Sequence, residues 1–388
     1  NDVYKKLDSI LYENIPGKIL IKKTITRNGY KGIDITNRTR RGDLQRYNIF
    51  ITPFEVLFFK MSGKENYIDG KEAEKFFSSI HFKQVTNAAG IFEPLQGGFS
   101  VWMPQQPFIY YNTSNNDGIN RWEYEAADES NGNAYLILKK SVYNFQFLEE
   151  DSFDLSLIEE SFQYPNKSNK QFSRVQSNFK GFPCLDIKEK MNDGSIMQAR
   201  FIIKGPHYYV LAARGKNKRA DFSAFFNSFS FTPYRYSMLK VFTDSFMHFT
   251  VQTPVAPAIN DDIRSIAEKT DVDLNNDNNG FKFWPKTKNG NFKSDATGET
   301  VSVSVQEYPK YYYVKDKSKQ RIDVVSNYIY DDGFYIYKTD TIILANDVIA
   351  YKFHLRDTGS SRTITRMLMM KDNYSFSLAT MGDTLSTE

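Results

Sequence analysis

The amino-acid sequence predicts an α+β protein built as a tandem array of one unit, a mainly antiparallel sheet covered by two helices in an α/β/α sandwich. Three observations lead there. Apolar landmarks recur at fixed offsets, short alternating segments are separated by turn residues, and two amphipathic stretches accompany each set of strands.

The recurrence sets the register. Gly29–Phe82 contains GYKGIDI and closes on EKFFSSIHF, and Asn178–Phe231 contains NFKGFPCLDI and closes on SAFFNSFSF. Gly32 thereby pairs with Gly181 and Phe76-Phe77 with Phe225-Phe226, at an offset of 149. Phe99–Pro107 and Phe249–Pro257 share F-[ST]-V-x-x-P-x-x-P at an offset of 150. Ala134–Phe162 aligns without gaps on Val301–Ile329 at 167, placing Leu155, Leu157, Ile158 and Phe162 on Ile322, Val324, Val325 and Ile329. Gly215 falls on Gly382 at that same offset. The step from 150 to 167 is a 17-residue insertion in a polar surface loop of the third unit.

This register divides the chain into residues 1–97, the C-terminal half of a unit plus a linker; 98–240, a complete unit; and 241–388, a third unit with its polar insertion at about 260–300 and without a closing helix. Both chain ends then read as cuts through a longer array. Incomplete sheets there would present open edges, through which any oligomer would form.

Within the complete unit, Phe99–Met103 alternates apolar and polar residues and is bounded by Pro104 and Pro107, which predicts an opening strand. Tyr111–Gly118 is turn chemistry, followed by strands at Asn120–Ala126 and Ala134–Tyr143. A helix is expected over Asp151–Phe162, capped by Asp151 or Ser152, with Phe153, Leu155, Ile158 and Phe162 on one face. Strands follow at Val175–Gly181, Cys184–Lys190, Gln198–Lys204 and Tyr208–Arg214. A helix over Ala220–Ser228 and a short strand, Phe229–Thr232, close the unit.

The opening F-[ST]-V-x-x-P, the mid-unit helix, the meander and the closing F-F-x-S-[IF]-x-F resemble the PsbP-like fold over essentially the whole chain. The resemblance implies a binding or assembly-supporting protein of the bacterial envelope, with no family active site to transfer. Fold alone does not set function.

Composition narrows the classes. Fifty basic residues against 46 acidic give a net charge of +4, too even for a nucleic-acid partner. Cys184 is the single cysteine, which excludes an intrachain disulfide and a Cys-based zinc site; a buried structural thiol is expected. No stretch reaches the roughly 18 apolar residues that span a bilayer.

Candidate chemistry is sparse. His81, His207, His248 and His354 stand far apart in sequence and read as scattered solvent or edge histidines. Asp273, Asn275, Asp277 and Asn279 alternate as hard oxygen donors, a weak calcium candidate without the EF-hand glycine and with Trp284 where its glutamate belongs. Basic clusters at Arg38–Arg41, Arg214–Arg219 and Lys315–Arg321 read as solvated surface, and Arg41-Gly42-Asp43 as a hairpin turn. Tyr110-Tyr111, Trp122, Trp284 and Tyr311–Tyr313 read as strand-face packing in preference to a sugar or peptide platform.

The expected function is a non-catalytic binding or scaffold array, periplasmic, outer-membrane-associated or secreted, with an unknown protein or glycan partner, no nucleic acid and no cofactor. The alternatives are an accessory region of a larger enzyme and a carbohydrate- or calcium-dependent binding module.

Overall fold

In the computed structural model the described residues are 15, 17–52, 56–82, 88–112, 120–128, 130–141, 149–163, 170–216, 220–236, 238–245, 248–255, 258–259, 286–294, 297–308 and 333–383. The calcium candidates Asp273, Asn275, Asp277 and Asn279, Trp284, Tyr311–Tyr313 and the cluster Lys315–Arg321 lie outside them. The chain divides into two compact units, Asn1–Ala88 and Ala89–Glu388.

The first unit is a four-stranded antiparallel sheet, order β1 (Lys18–Arg27), β2 (Tyr30–Arg38), β3 (Leu44–Ile51), β4 (Val56–Gly63), followed by helix α1 (Lys71–Ser78). Apolar residues line both faces. Ile33, Ile35, Tyr47 and Ile49 form one cluster, and Phe50 packs with Ala73, Phe77 and Ile80 beneath α1 on the other. Arg41-Gly42-Asp43 sits in the β2–β3 turn, where Gly42 donates to the Thr39 carbonyl.

The second unit holds two seven-stranded sheets. One runs β10 (Lys170–Phe179), β11 (Phe182–Lys190), β12 (Ile196–Lys204), β13 (His207–Gly215), β9 (Asn133–Ser141), β8 (Asn120–Asp128), β7 (Phe108–Asn112). The other runs β20 (Phe334–Ile343), β21 (Ile349–Asp357), β22 (Arg362–Lys371), β23 (Tyr374–Asp383), β19 (Thr300–Glu307), β18 (Lys286–Lys293), β17 (Ala258–Ile259). The two orders are the same, strand for strand. β9 and β19 enter next to the last strand of their meanders, β13 and β23. The extra length of the third segment falls between β17 and β18, over residues 260–285, where the first sheet has only residues 113–119.

Two smaller sheets complete the unit: β5 (Gly90–Phe92) and β14 (Ser230–Phe231) on either side of β6 (Phe99–Met103), and β15 (Lys240–Asp244) beside β16 (Phe249–Thr253). Helix α2 spans Asp151–Gln163 and α3 only Ser223–Ser228.

The α/β/α sandwich with two helices per unit is therefore corrected. Among the described residues, 61% are strand and 12% helix, in five antiparallel sheets and three helices. The physical reason lies in the outer layers. On one face of the first large sheet, α2 covers Leu185, Ile187, Phe201 and Val210 with Leu155, Ile158 and Phe162. On the other face the cover is chiefly β-structure. Phe99, Val101 and Met103 of β6 join Phe225, Phe226 and Phe229 over Trp122, Tyr124, Tyr209 and Leu211. The stretch expected as a helix over 220–228 makes six residues of it, because Phe222 departs from helical backbone at φ −106°, ψ 11°. In the third segment no helix occurs among the described residues apart from a 3-10 turn at Ala345–Asp347. Within α2, Phe153 is 51% exposed, so the apolar face toward the sheet is the buried Leu155 with the half-buried Ile158 and Phe162, and Asp154 and Glu159 are buried beside it.

The pairing of Gly32 with Gly181 is also corrected. Asn28-Gly29 and Lys180-Gly181 both have two consecutive positive φ values, 48° and 84° against 52° and 91°, the signature of a two-residue type I′ hairpin. Gly29 and Gly181 are thus equivalent, 152 apart. Gly42 and Gly194, with φ 89° and 83°, keep that spacing in the next turn, as do Gly63 and Gly215 at the ends of β4 and β13. The spacing falls to 149 only in the loop before the helices. Gly181→Val is expected to cost about 1–2 kcal/mol, since a β-branched side chain disfavours the left-handed region; urea unfolding followed by tryptophan fluorescence measures it.

Candidate functional site

Several segments of the second unit, among them Thr253–Val255 at the end of β16, converge on a cleft of about 890 Å³. The β12–β13 turn supplies Lys204 and His207, the chain after β14 supplies Tyr234 and Tyr236, the residue before β19 is Glu299, and the second large sheet supplies Lys352, Thr365 and Thr380. Both seven-stranded sheets therefore wall it. Its lining sets hydroxyls, two lysines and Glu299 among prolines, Val255, Phe292, Val301 and Met381, which suits a ligand with an apolar body and a few hydrogen-bonding groups.

Behind one wall lies a buried cluster. Lys139 of β9 has no exposed surface, and its Nζ donates to the Thr297 carbonyl at 2.7 Å. The amine stands 4.8 Å from the ring centre of Trp122 and 4.4 Å from that of Tyr234. Burial, opposed by Glu299 and reinforced by Lys204, lowers its pKa from 10.5 to about 7. The Tyr236 hydroxyl meets Thr297 Oγ1 at 2.8 Å and donates to Glu299. Burial, then the Glu299 hydrogen bond, pushes that phenol up to about 12. Lys293 Nζ reaches Asn120 Oδ1 at 3.3 Å.

A second cluster ties α2 to the start of β22. Arg362 is 1% exposed, and its Nη2 donates to Asp154 Oδ2 at 2.7 Å and to the Tyr208 hydroxyl at 2.6 Å. Its Nη1 has no hydrogen-bond partner among the described residues and stands 4.0 Å from Asp151 Oδ1. Asp151 accepts from the Ser361 backbone N–H at 2.8 Å and from its hydroxyl at 3.2 Å. The residue expected as a helix cap is thus an anchor for the neighbouring sheet. Burial raises the Asp151 pKa, with Arg362 opposing.

His207 and His354 do not fit the expectation of scattered solvent or edge histidines. His207, 3% exposed, opens β13 and shares a 2.7 Å hydrogen bond with Ser141, its register partner on β9. Burial, then the charges of Lys139 and Lys204, holds its pKa well below 6.5. His354 is also 3% exposed and meets Asp340 at 2.9 Å. His81 is exposed beside the Ser79 carbonyl, and the His248 ring lies 4.6 Å from that of Tyr374.

Ser141 and His207 form a hydroxyl–imidazole pair that sequence reasoning missed, because 66 residues separate them. The register of a strand pair was the only signal that could have found it. The pair does not recur: His207 matches Tyr374 at the offset of 167, and the register partner of Tyr374 is Glu307, one residue short of the Tyr308 that the ungapped alignment sets against Ser141. Ser141 has no exposed surface, so its hydroxyl is closed to a substrate in this conformation. Cys184 is buried, and burial followed by the Asp186 charge raises its thiol to about 11, far from thiolate reactivity.

Tyr111 stacks on Trp122 at 5.4 Å, while Tyr110 is 47% exposed on the edge strand β7. Among the described residues no group of three His, Cys, Asp or Glu side chains could hold a metal ion. No helix among them is long and apolar enough to cross a membrane.

No protein family and no curated protein matches the sequence. Among solved structures, the solution structure of cyanobacterial PsbP (CyanoP) from Synechocystis sp. PCC 6803 matches over 37% of this chain and 93% of its own. The identity is 8% and the TM-score 0.29, a likeness too slight to carry an argument about fold or function.

Proposed function

We propose that the chain is a non-catalytic binding and scaffold array of tandem units, and that its ligand seat is the cleft between the two seven-stranded sheets. The observation that carries this reading is the wall composition. Lys204 comes from one sheet, Lys352, Thr365 and Thr380 from the other, and Tyr236 from the chain after β14, around a space large enough for a small ligand or a short stretch of polymer. The repeat register supports the array, since the two large sheets share one strand order. The setting in a bacterial envelope or secretion rests on the sequence resemblance alone. A hydrolase based on Ser141 and His207 is disfavoured by the burial of the hydroxyl and by the lack of a counterpart at Glu307 and Tyr374.

Glycan and peptide arrays probed with the wild type and with Thr365→Trp test this. Thr365 lines the cleft and is a member of neither buried cluster, so the larger indole is aimed at the cleft volume. A ligand held by the wild type should weaken by about tenfold or more in the filled variant, a change of about 1.4 kcal/mol. Equal binding by both proteins contradicts the assignment of the cleft. Ester or glycoside turnover abolished by Ser141→Ala contradicts the non-catalytic reading.

A further inference from the structure

The first unit ends its sheet where the second unit does not. β4 pairs only with β3, so its other edge is open among the described residues. The strand equivalent to β4 in the larger sheets is never an edge. β13 is flanked by β9, with Tyr209 opposite Lys139 and Ala213 opposite Tyr135, and β23 is flanked by β19. The equivalence is fixed by two turns and by pairing: Ile51 faces Val56 as Ile203 faces Tyr208, both 152 residues on.

The side chains on β4 carry the mark of a missing neighbour. Phe58 is 53% exposed and Val56 44%. The position matching Phe58 is Val210, 1% exposed beside Leu138 of β9. Lys60 matches Ala212, 6% exposed opposite Leu136. An open row of backbone donors and acceptors with an exposed phenylalanine is a template for an added strand. In this chain β9 and β19 are hydrogen-bonded on both sides, so neither is free to fill it.

We propose that the β4 edge is a strand acceptor. It takes an antiparallel strand with the apolar alternation of β9, brought by another polypeptide segment of the same unit type, and completes the sheet as β9 and β19 complete theirs. Such a strand would place an apolar side chain beside Phe58 and hydrogen-bond along Val56–Gly63.

The test uses the full chain and a synthetic peptide with the β9 sequence, NAYLILKKS. Hydrogen exchange read by mass spectrometry should show the amides of residues 56–63 slowed by about tenfold at saturating peptide, with β11 and β21 unchanged. A peptide N-methylated at alternate amides, which cannot form the ladder, should give no protection. The control alters only the peptide, so misfolding of the protein cannot mimic the result. No slowing with the parent peptide overturns the proposal, as does equal slowing by a scrambled or N-methylated one. Protection that appears without peptide and grows with protein concentration also overturns it, since β4 then pairs with β4 of a second copy.

Discussion

Arg362→Ala is expected to destabilise the unit Ala89–Glu388 by about 3–5 kcal/mol, the usual cost of removing one member of a buried ion pair. The arginine is 1% exposed and Asp154 6%, so deletion leaves a buried carboxylate with only the Tyr208 hydroxyl, 3.1 Å away, as a partner. Asp151 loses its nearest opposing charge as well. All three tryptophans, Trp102, Trp122 and Trp284, belong to this unit, so urea unfolding followed by tryptophan fluorescence reports on it without a contribution from the first unit. Replacing both partners, as Arg362→Met with Asp154→Leu, should recover much of the loss, because an apolar pair needs no compensation for desolvation. A single-variant cost below about 1 kcal/mol would reduce the cluster to the weight of a surface ion pair.

The second large effect is a pH slope from Lys139. Its folded pKa is about 7 against an ordinary 10.5, so between those values the unfolded chain holds a proton that the folded chain has released. Stability therefore rises with pH through that window, by at most about 1.4 kcal/mol per pH unit, and the gain is complete near the unfolded value. His207 acts in the same direction at lower pH: its folded pKa is well below 6.5, so stability falls as pH drops from 6.5. Tyr236, raised to about 12, reverses the trend above about 10, where the unfolded phenol ionises first. Lys139→Met should flatten the curve between pH 7 and 10 while leaving the part of the fall below 6.5 that comes from the burial of His207. Urea midpoints across pH measure it; an unchanged slope in the variant would show that the amine is not the group responsible.

Strands were more legible than layers. Phe99–Met103 coincides with β6, since alternation bounded by prolines has one reading. The meander from Cys184 to Arg214 was legible for the same reason, and its turns carry Gly194 and Gly205 at positive φ. Gly32 misled because the motif KG recurs at 31–32 and 180–181, whereas the turn itself is Asn28-Gly29; backbone sign, invisible in letters, decides which glycine matters. The helical cover was overestimated because Ala220–Ser228 has the amphipathic spacing of a helix, yet only Ser223–Ser228 is helical, with Phe225 and Phe226 buried in the cluster that holds β6 and with Phe222 and Phe229 flanking it. Lys139, His207 and Arg362 could not be read as buried. Burial of a charged residue is set by neighbours on other strands, here Thr297, Ser141 and Asp154, all remote in sequence.

The central claim is that the two seven-stranded sheets are locked by these buried clusters into one body with the cleft at their seam. Native-state hydrogen exchange of the wild type and Arg362→Ala tests it most directly. If the sheets act as one body, β11–β13 and β21–β23 share the same slowest exchange, and Arg362→Ala accelerates both sets together. Acceleration confined to β21–β23, with β11–β13 exchanging as in the wild type, would contradict it.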